Sequence, residues 1–270
     1  MFKDMTIGQY LPTDSIIHKL DPRIKIGIIG LFMVAVFLVN SIYLYIPIFL
    51  GLILVMIAAK ISPSYVIKGI KPLRFIIILT FLINALVTPG EVLAQFWIFT
   101  LTKEGLLRAS FMAIRLILLV MGTSMLTLTT SPIELTDGLE SLFNPLKRFG
   151  FPAHELAMMM TIALRFIPTL IEESDKIMKA QMARGADFES GNLIDRAKNL
   201  VPLLVPLFIN SLRRADELAT AMEARCYRGG EGRTRLNELK TTGKDYVALV
   251  IVILYLGATI AVGRIYQFQI

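Results

Sequence analysis

The sequence specifies an all-α membrane protein with about five transmembrane helices and a cytoplasmic helical domain inserted before the last span. Three observations lead there. Of 270 residues, 55% are hydrophobic and only 18% are charged, which is too apolar for an ordinary soluble domain. Several apolar runs approach or meet the roughly 20 residues that a bilayer core demands, and basic loops separate them. Residues 131–240 then change character, with charged helical periodicity and no clean span.

The other bulk features fit this class. The net charge of +7 reads as positive-inside loops rather than as affinity for nucleic acid. The single cysteine, Cys226, excludes an intramolecular disulfide framework. The first twenty residues are polar and carry Asp4, Asp14 and Lys19, unlike a cleavable signal peptide.

Taken in order, a polar arm over residues 1–23 ends in His18-Lys19-Leu20-Asp21-Pro22-Arg23. Asp21 is placed to N-cap a helix with Pro22 at its first position. A first span follows over 24–39, with Lys25 at its edge able to snorkel. Asn40-Ser41 makes a turn, and a second span covers 43–59. A loop with Lys60, Lys68, Lys71 and Arg74 leads to a third span over 73–87, ending at Thr88-Pro89-Gly90. Phe96 to Leu101 reads as a short strand or an interfacial segment. A fourth span covers 106–130. The Lys/Arg distribution puts the N-terminus in the cytoplasm, and four spans return the chain there at Ser131.

Ser131-Pro132-Ile133-Glu134 is a capping box that opens a new helix. From there to Lys240 no segment is expected to span: 200–209 is short and holds Pro202 and Pro206, and 156–171 holds Arg165 and Pro168. Leu156, Met160, Ala163, Ile167, Leu170, Ser174, Ile177 and Gln181 recur at helical spacing, forming one apolar face. Glu172, Glu173, Lys176 and Lys179 fall opposite. Pro168 should kink this helix, and Gly185 with Ser190-Gly191-Asn192 should end it. A second long helix is expected over 193–227, stopping at Gly229-Gly230. A connector over 229–243 precedes a last span over 246–262, closed by Arg264 on the outer side. The domains are thus 1–130, 131–240 and 241–270, with the C-terminus outside.

The cytoplasmic domain contains an internal echo. With an offset of 41 residues Arg184 falls on Arg225, Asp175 on Asp216, Ala180 on Ala221, Ala183 on Ala224, and Ile177 meets Leu218. One Ala-Arg helix end needs no explanation beyond the helix dipole. Two, each with Asp nine residues upstream, suggest paired docking points. A guanidinium carries five fixed donors suited to a partner's carboxylates or carbonyls. Ala183, Gly185, Ala224 and Cys226 are small enough to let a partner approach closely.

Other candidates read as structural. Arg115, an intramembrane cation, is expected to snorkel or pair with another span. Asn84 is expected to hydrogen-bond across helices. His18 and His154 are expected at surfaces or interfaces, and Cys226 as a small packing residue. No phosphate loop, zinc motif, nucleophile elbow or paired-carboxylate arrangement is present, so no catalytic residue, metal site or cofactor is assigned.

The run SPIELTDGLESLFNPLKRFGFPAHELAMMMTIALRFIPTLIEESDKIMKAQMARGADF, then AMEARCYRGG, closely resembles the transmembrane (T) subunit of energy-coupling factor transporters, the family that includes the cobalt-transport permeases. HKLDPRIK and TKEGLLRA fit as well, so the resemblance covers nearly the whole chain. It implies a non-catalytic scaffold that joins two ABC-type ATPases, which bind the ATP, to a small substrate-binding membrane subunit. It further implies uptake of vitamins through a shared module, or of metal ions. Carried over, the two coupling-helix signatures are Ala183-Arg184-Gly185 and Ala224-Arg225-Cys226, with Cys where the family has Gly. Cys takes a left-handed backbone less readily, so the second tight turn is expected to move to Gly229-Gly230. The alternatives are a secondary transporter with its own midplane site and a membrane-anchored scaffold without ATPases.

Overall fold

The computed structural model describes residues 10–39, 41–96, 99–186, 188, 192–229 and 239–267. The expectations for Asp4, Asn40, Ser190-Gly191, Gly230 and residues 231–238 lie outside the described residues. Among the described residues nine α-helices and one strand pair follow in order: α1 Pro22–Leu38, α2 Tyr45–Ala58, α3 Pro63–Ile70, α4 Arg74–Val87, β1 Val92–Phe96, β2 Phe99–Thr102, α5 Lys103–Thr129, α6 Pro132–Phe143, α7 Ala153–Ala183, α8 Leu193–Ala224 and α9 Gly243–Gln267. The described residues are all-α apart from the antiparallel β1–β2 pair, in which Phe96 and Phe99–Leu101 lie on paired strands. The described residues of Gly8–Gly138 and Leu239–Ile270 form one compact unit, and those of Leu139–Glu238 form another.

In the first unit α1, α2, α5 and α9 share a core. Phe32, Val36 and Val39 meet Tyr45, Ile48 and Leu52, with Leu118 and Leu256. Gly122 makes the α1–α5 approach possible, because a Cβ there would collide with the Phe32 ring. The surface of the unit is as apolar as its interior: Val34, Phe37, Ile46, Leu54, Phe75, Val250 and Leu254 are all exposed. An exposed apolar perimeter of this extent marks a lipid-facing body.

Among the described residues four helices are long and apolar enough to cross a membrane: Pro63–Val87, Lys103–Thr129, Ala153–Ala183 and Gly243–Ile265. By length and composition these helices differ from the expected spans in two places. The first two expected spans form shorter helices, α1 of 17 residues and the apolar Ile42–Ala58. Conversely, α7 qualifies although no span was expected between 131 and 240, because its helix runs unbroken through Pro168. It is the least apolar of the four. The third span also starts earlier, as α3, a 3-10 turn and α4 form one helical stretch.

Polar groups tie the first unit together at one end. Asp21 N-caps α1, accepting from the Arg23 amide at 2.9 Å. Its own amide donates to Asp245 Oδ1 at 2.9 Å, while Asp245 Oδ2 accepts from the Thr242 amide and hydroxyl at 2.6 and 2.9 Å. Arg23 donates to the Leu239 carbonyl at 2.7 Å. Lys25 does not snorkel. It is 5% exposed, and its Nζ donates to the carbonyls of His18 and Thr129, each at 2.9 Å. Thr129 is the last residue of α5, so the ammonium caps that helix's negative end. The HKLDPRIK run is thus a knot joining the ends of α1, α5 and α9.

The arm before it is docked. The Leu11 amide donates to Leu128 O at 3.1 Å and Thr13 Oγ1 donates to Ala59 O at 3.2 Å. Leu11 and Ile17 pack on Ile61, Val66 and Met125. His18 is half-buried against Ser15, and burial pulls its imidazole below the usual histidine range, with the Lys25 charge acting the same way. Burial and the charges of Glu134 and Asp14 push the neighbouring Tyr10 phenol up.

Arg115 is a structural cation. It donates to Tyr45 Oη at 2.9 Å and Val39 O at 3.1 Å, and its guanidinium lies 4.8 Å from the Phe111 ring centre and 5.5 Å from that of Phe37. It pairs with neighbouring helices rather than snorkelling. Asn84 does not bond across helices as expected: its amide donates to Thr80 O on its own helix at 2.8 Å. In a bilayer that intrahelical bond satisfies the amide without a partner span.

Candidate functional site: two arginine-tipped helix ends

The capping box expected at Ser131 is formed. The Ser131 amide donates to Glu134 Oε2 at 3.1 Å, and the Glu134 amide donates to Ser131 Oγ at 3.3 Å. Beyond it α6 leads to a 3-10 turn and then α7. His154, near the start of α7, sits at an interface with α6: it bonds Glu140 at 2.9 Å and is half-buried.

A helix leaves its last carbonyls without donors, and α7 and α8 solve this identically. After α7, Gly185 turns left-handed with φ 89. Its amide donates to Met182 O at 2.9 Å, and the Ala186 amide donates to Gln181 O at 3.0 Å. After α8, Cys226 turns left-handed with φ 55. Its amide donates to Glu223 O at 2.9 Å, and the Tyr227 amide donates to Met222 O at 3.0 Å. Both are Schellman closures, and every atom pair in one maps onto the other by the 41-residue offset. The expected shift of the second turn to Gly229-Gly230 is therefore corrected: the closure falls at Cys226 itself, because its two hydrogen bonds require the left-handed residue at that position. Nor is Cys226 a packing residue, since it is exposed.

Arg184 and Arg225 stand at the same capping position, with φ, ψ of −90, 6 and −95, 17. Ala183, Arg184 and Gly185 are all exposed, as are Ala224, Arg225 and Cys226. Small residues on both sides leave each guanidinium uncovered.

The two helices cross at a polar clamp. Glu173 on α7 accepts from Arg214 at 3.2 Å and from Asn210 at 2.6 Å, and Arg214 lies 5.8 Å from the Phe166 ring centre. Nearer the start of α7, Met158 accepts from Tyr227 at 2.9 Å. Partners descend α7 as they ascend α8, so the pair is antiparallel. Glu173 and Arg214 are themselves 41 residues apart. The Glu173–Arg214 pair thus joins counterparts in the repeat, as a pseudo-two-fold relation between the two helices would. Each tip lies 11 residues beyond its clamp residue, about 16 Å along a helix. The three prolines, Pro168, Pro202 and Pro206, all lie outside these two arms.

The clamp was not expected. Helical spacing puts Glu173 on the outward charged face, whereas it faces α8. Applying the repeat offset to it would have returned Arg214, a residue of opposite charge. The expected apolar face of α7 holds from Ile167 to Gln181, but Leu156, Met160 and Ala163 lie exposed. Among the described residues no group of three His, Cys, Asp or Glu side chains is placed to hold a metal.

Residues 13–236 match the family model described as cobalt transport protein, CbiQ. The chain belongs to the cobalt transport protein family. The energy-coupling factor transporter transmembrane protein EcfT of Clostridium kluyveri is 59% identical over 250 residues, covering 92% of this chain and 93% of that relative. EcfT of Acidaminococcus fermentans is 55% identical over 263 residues, covering 95% and 98%. EcfT of Bacillus subtilis is 50% identical over 254 residues, covering 94% and 96%. The cobalt transport protein match contains both arginine tips and the clamp between them. It also contains the HKLDPRIK knot, and with the apolar helices it marks a multi-pass membrane protein.

Two outcomes follow from this geometry. Cys226→Gly should stabilise the α8 closure by about 0.5–1 kcal/mol, the left-handed penalty less glycine's entropic cost, and Cys226→Val should open it. Hydrogen exchange of the 222–227 amides should slow in the first variant and quicken in the second. At the crossing, Glu173→Arg and Arg214→Glu should each lower stability by about 1–3 kcal/mol. The double swap should regain most of that in thermal melts of the detergent-solubilised chain.

Proposed function

We propose that this chain is the non-catalytic transmembrane scaffold of an energy-coupling factor importer. Its two arginine tips dock two cytoplasmic ABC-type ATPases, which bind and hydrolyse the ATP. Its membrane body holds a small substrate-binding membrane subunit. The N-terminus and residues 131–240 lie in the cytoplasm, with the C-terminus outside. This orientation rests on the Lys and Arg of the arm and the 60–74 loop. It keeps α7 in the cytoplasm despite its length, since Arg165 and the charges from Glu172 to Lys179 suit water better than lipid.

The observation that carries this reading is the pair of identical exposed Arg closures, equidistant from a pseudo-two-fold clamp. A dimer of ATPases presents two equivalent pockets, and one polypeptide can meet both only by carrying the same end twice. Stiff, proline-free arms from clamp to tip transmit a change in spacing between the pockets as a rotation about Glu173–Arg214. That rotation reorients the substrate-binding subunit. The named likeness to energy-coupling factor transporter transmembrane proteins supports the importer reading, the family description points to metal ions as one substrate class, and vitamins taken up through a shared module are the other.

In this scheme each arginine is a buried anchor in the complex, and truncating such an anchor costs about 2–4 kcal/mol. Arg184→Ala plus Arg225→Ala should therefore abolish co-purification of the ATPases from co-expressing cells and leave membrane insertion intact. Full assembly of the double variant would refute the docking role.

A further inference from the structure

From Pro22 to Gly90 the sequence has no Asp or Glu. Four of the six cations in this stretch fall between residues 60 and 74: Lys60 after α2, Lys68 on α3, and Lys71 and Arg74 at the turn into α4. All four are exposed, and among the described residues no carboxylate pairs with them.

Their neighbours say what covers them. Pro63–Val87 is 25 residues of continuous helix, apolar enough to span. Lys68, Lys71, Phe75, Ile78 and Leu82 follow one another at steps of three and four. One stripe therefore begins with two ammonium groups and continues as Phe75, Ile78 and Leu82, which are 71%, 56% and 48% exposed. An exposed apolar stripe on a spanning helix faces acyl chains, so the cations at its end lie at headgroup depth. Tyr65 sits one turn earlier, 5.4 Å beneath Lys68 Nζ, where an amphipathic ring belongs at the interface. Lys60 is fixed rather than free-swinging at its backbone. It closes α2 in a left-handed conformation, φ 56, with its amide on Ile57 O at 3.0 Å and that of Ile61 on Met56 O at 3.2 Å.

We infer that Lys60, Lys68, Lys71 and Arg74 form a binding surface for acidic phospholipid headgroups. Phosphate oxygens accept from ammonium and guanidinium groups, and an acidic lipid adds net charge that a zwitterionic one lacks. Each cation near such a surface contributes on the order of 1 kcal/mol, or about fivefold. The inference rests on the membrane-spanning reading of Pro63–Val87 and is independent of ATPase docking.

The test uses the full chain in symmetric nanodiscs of phosphatidylcholine with graded phosphatidylglycerol, with bound lipid counted by native mass spectrometry. The wild type should enrich phosphatidylglycerol. Lys60→Gln, Lys68→Gln, Lys71→Gln and Arg74→Gln combined should reduce the preference at least about tenfold. Lys68→Gln with Lys71→Gln, a milder change should the quadruple variant misfold, should give an intermediate loss. Lys176→Gln, Lys179→Gln, Lys198→Gln and Lys240→Gln combined remove the same charge elsewhere and should leave the preference unchanged. Equal enrichment in the wild type and both stripe variants would overturn the inference. So would a stripe variant that keeps its lipid preference but loses a protein partner, because the surface would then be a protein contact.

Discussion

A helix that stops in water must satisfy its last carbonyls, and the cheapest closure needs one left-handed residue immediately after the cap. That constraint shapes both ends of the α7–α8 pair. Gly185 meets it without steric cost, while Cys226 meets it at some cost and keeps the same two hydrogen bonds. Because closure fixes the backbone on both sides of the cap, Arg184 and Arg225 leave their helices with matching geometry. Similarity of the two tips is thus a consequence of backbone hydrogen bonding, and it survives the change from Gly to Cys.

The clamp at Glu173 and Arg214 supplies the second half of the arrangement. A charge pair between equivalent positions of a repeat places the crossing at the middle of the symmetric unit, so the arms on either side are equal. The apolar unit is organised differently, by burying charge at its end. Asp21, Lys25 and Asp245 lie buried, yet each finds hydrogen-bond partners in helix termini. Removing one partner from such a set is costly, so residues 224 positions apart are held together.

Much of this was readable in advance, for physical reasons. Local rules with short reach succeeded: Asp21 caps α1, the Ser131–Glu134 box forms, and Gly185 ends α7. The arginine echo was visible because a fixed offset survives in sequence. What failed were judgements needing a third dimension. Lys25 lies at the edge of an apolar run, where snorkelling is the usual fate, but the carbonyls of His18 and Thr129 converge on it. Glu173 sits among charges at helical spacing, and only the position of α8 reveals that it faces inward. Intrinsic cost alone argues against a left-handed Cys226, whereas two capping hydrogen bonds hold it there. Pro168, expected to kink α7, lies inside a helix that continues on both sides of it.

The central claim is that each arginine tip meets its own ATPase. A photo-crosslinking amino acid placed at Ala183 and, separately, at Ala224 in the co-expressed complex addresses it directly. The account predicts an ATPase adduct from each position, with comparable yield. Adducts only to lipid or to a membrane subunit, or an ATPase adduct from one tip alone, would contradict it.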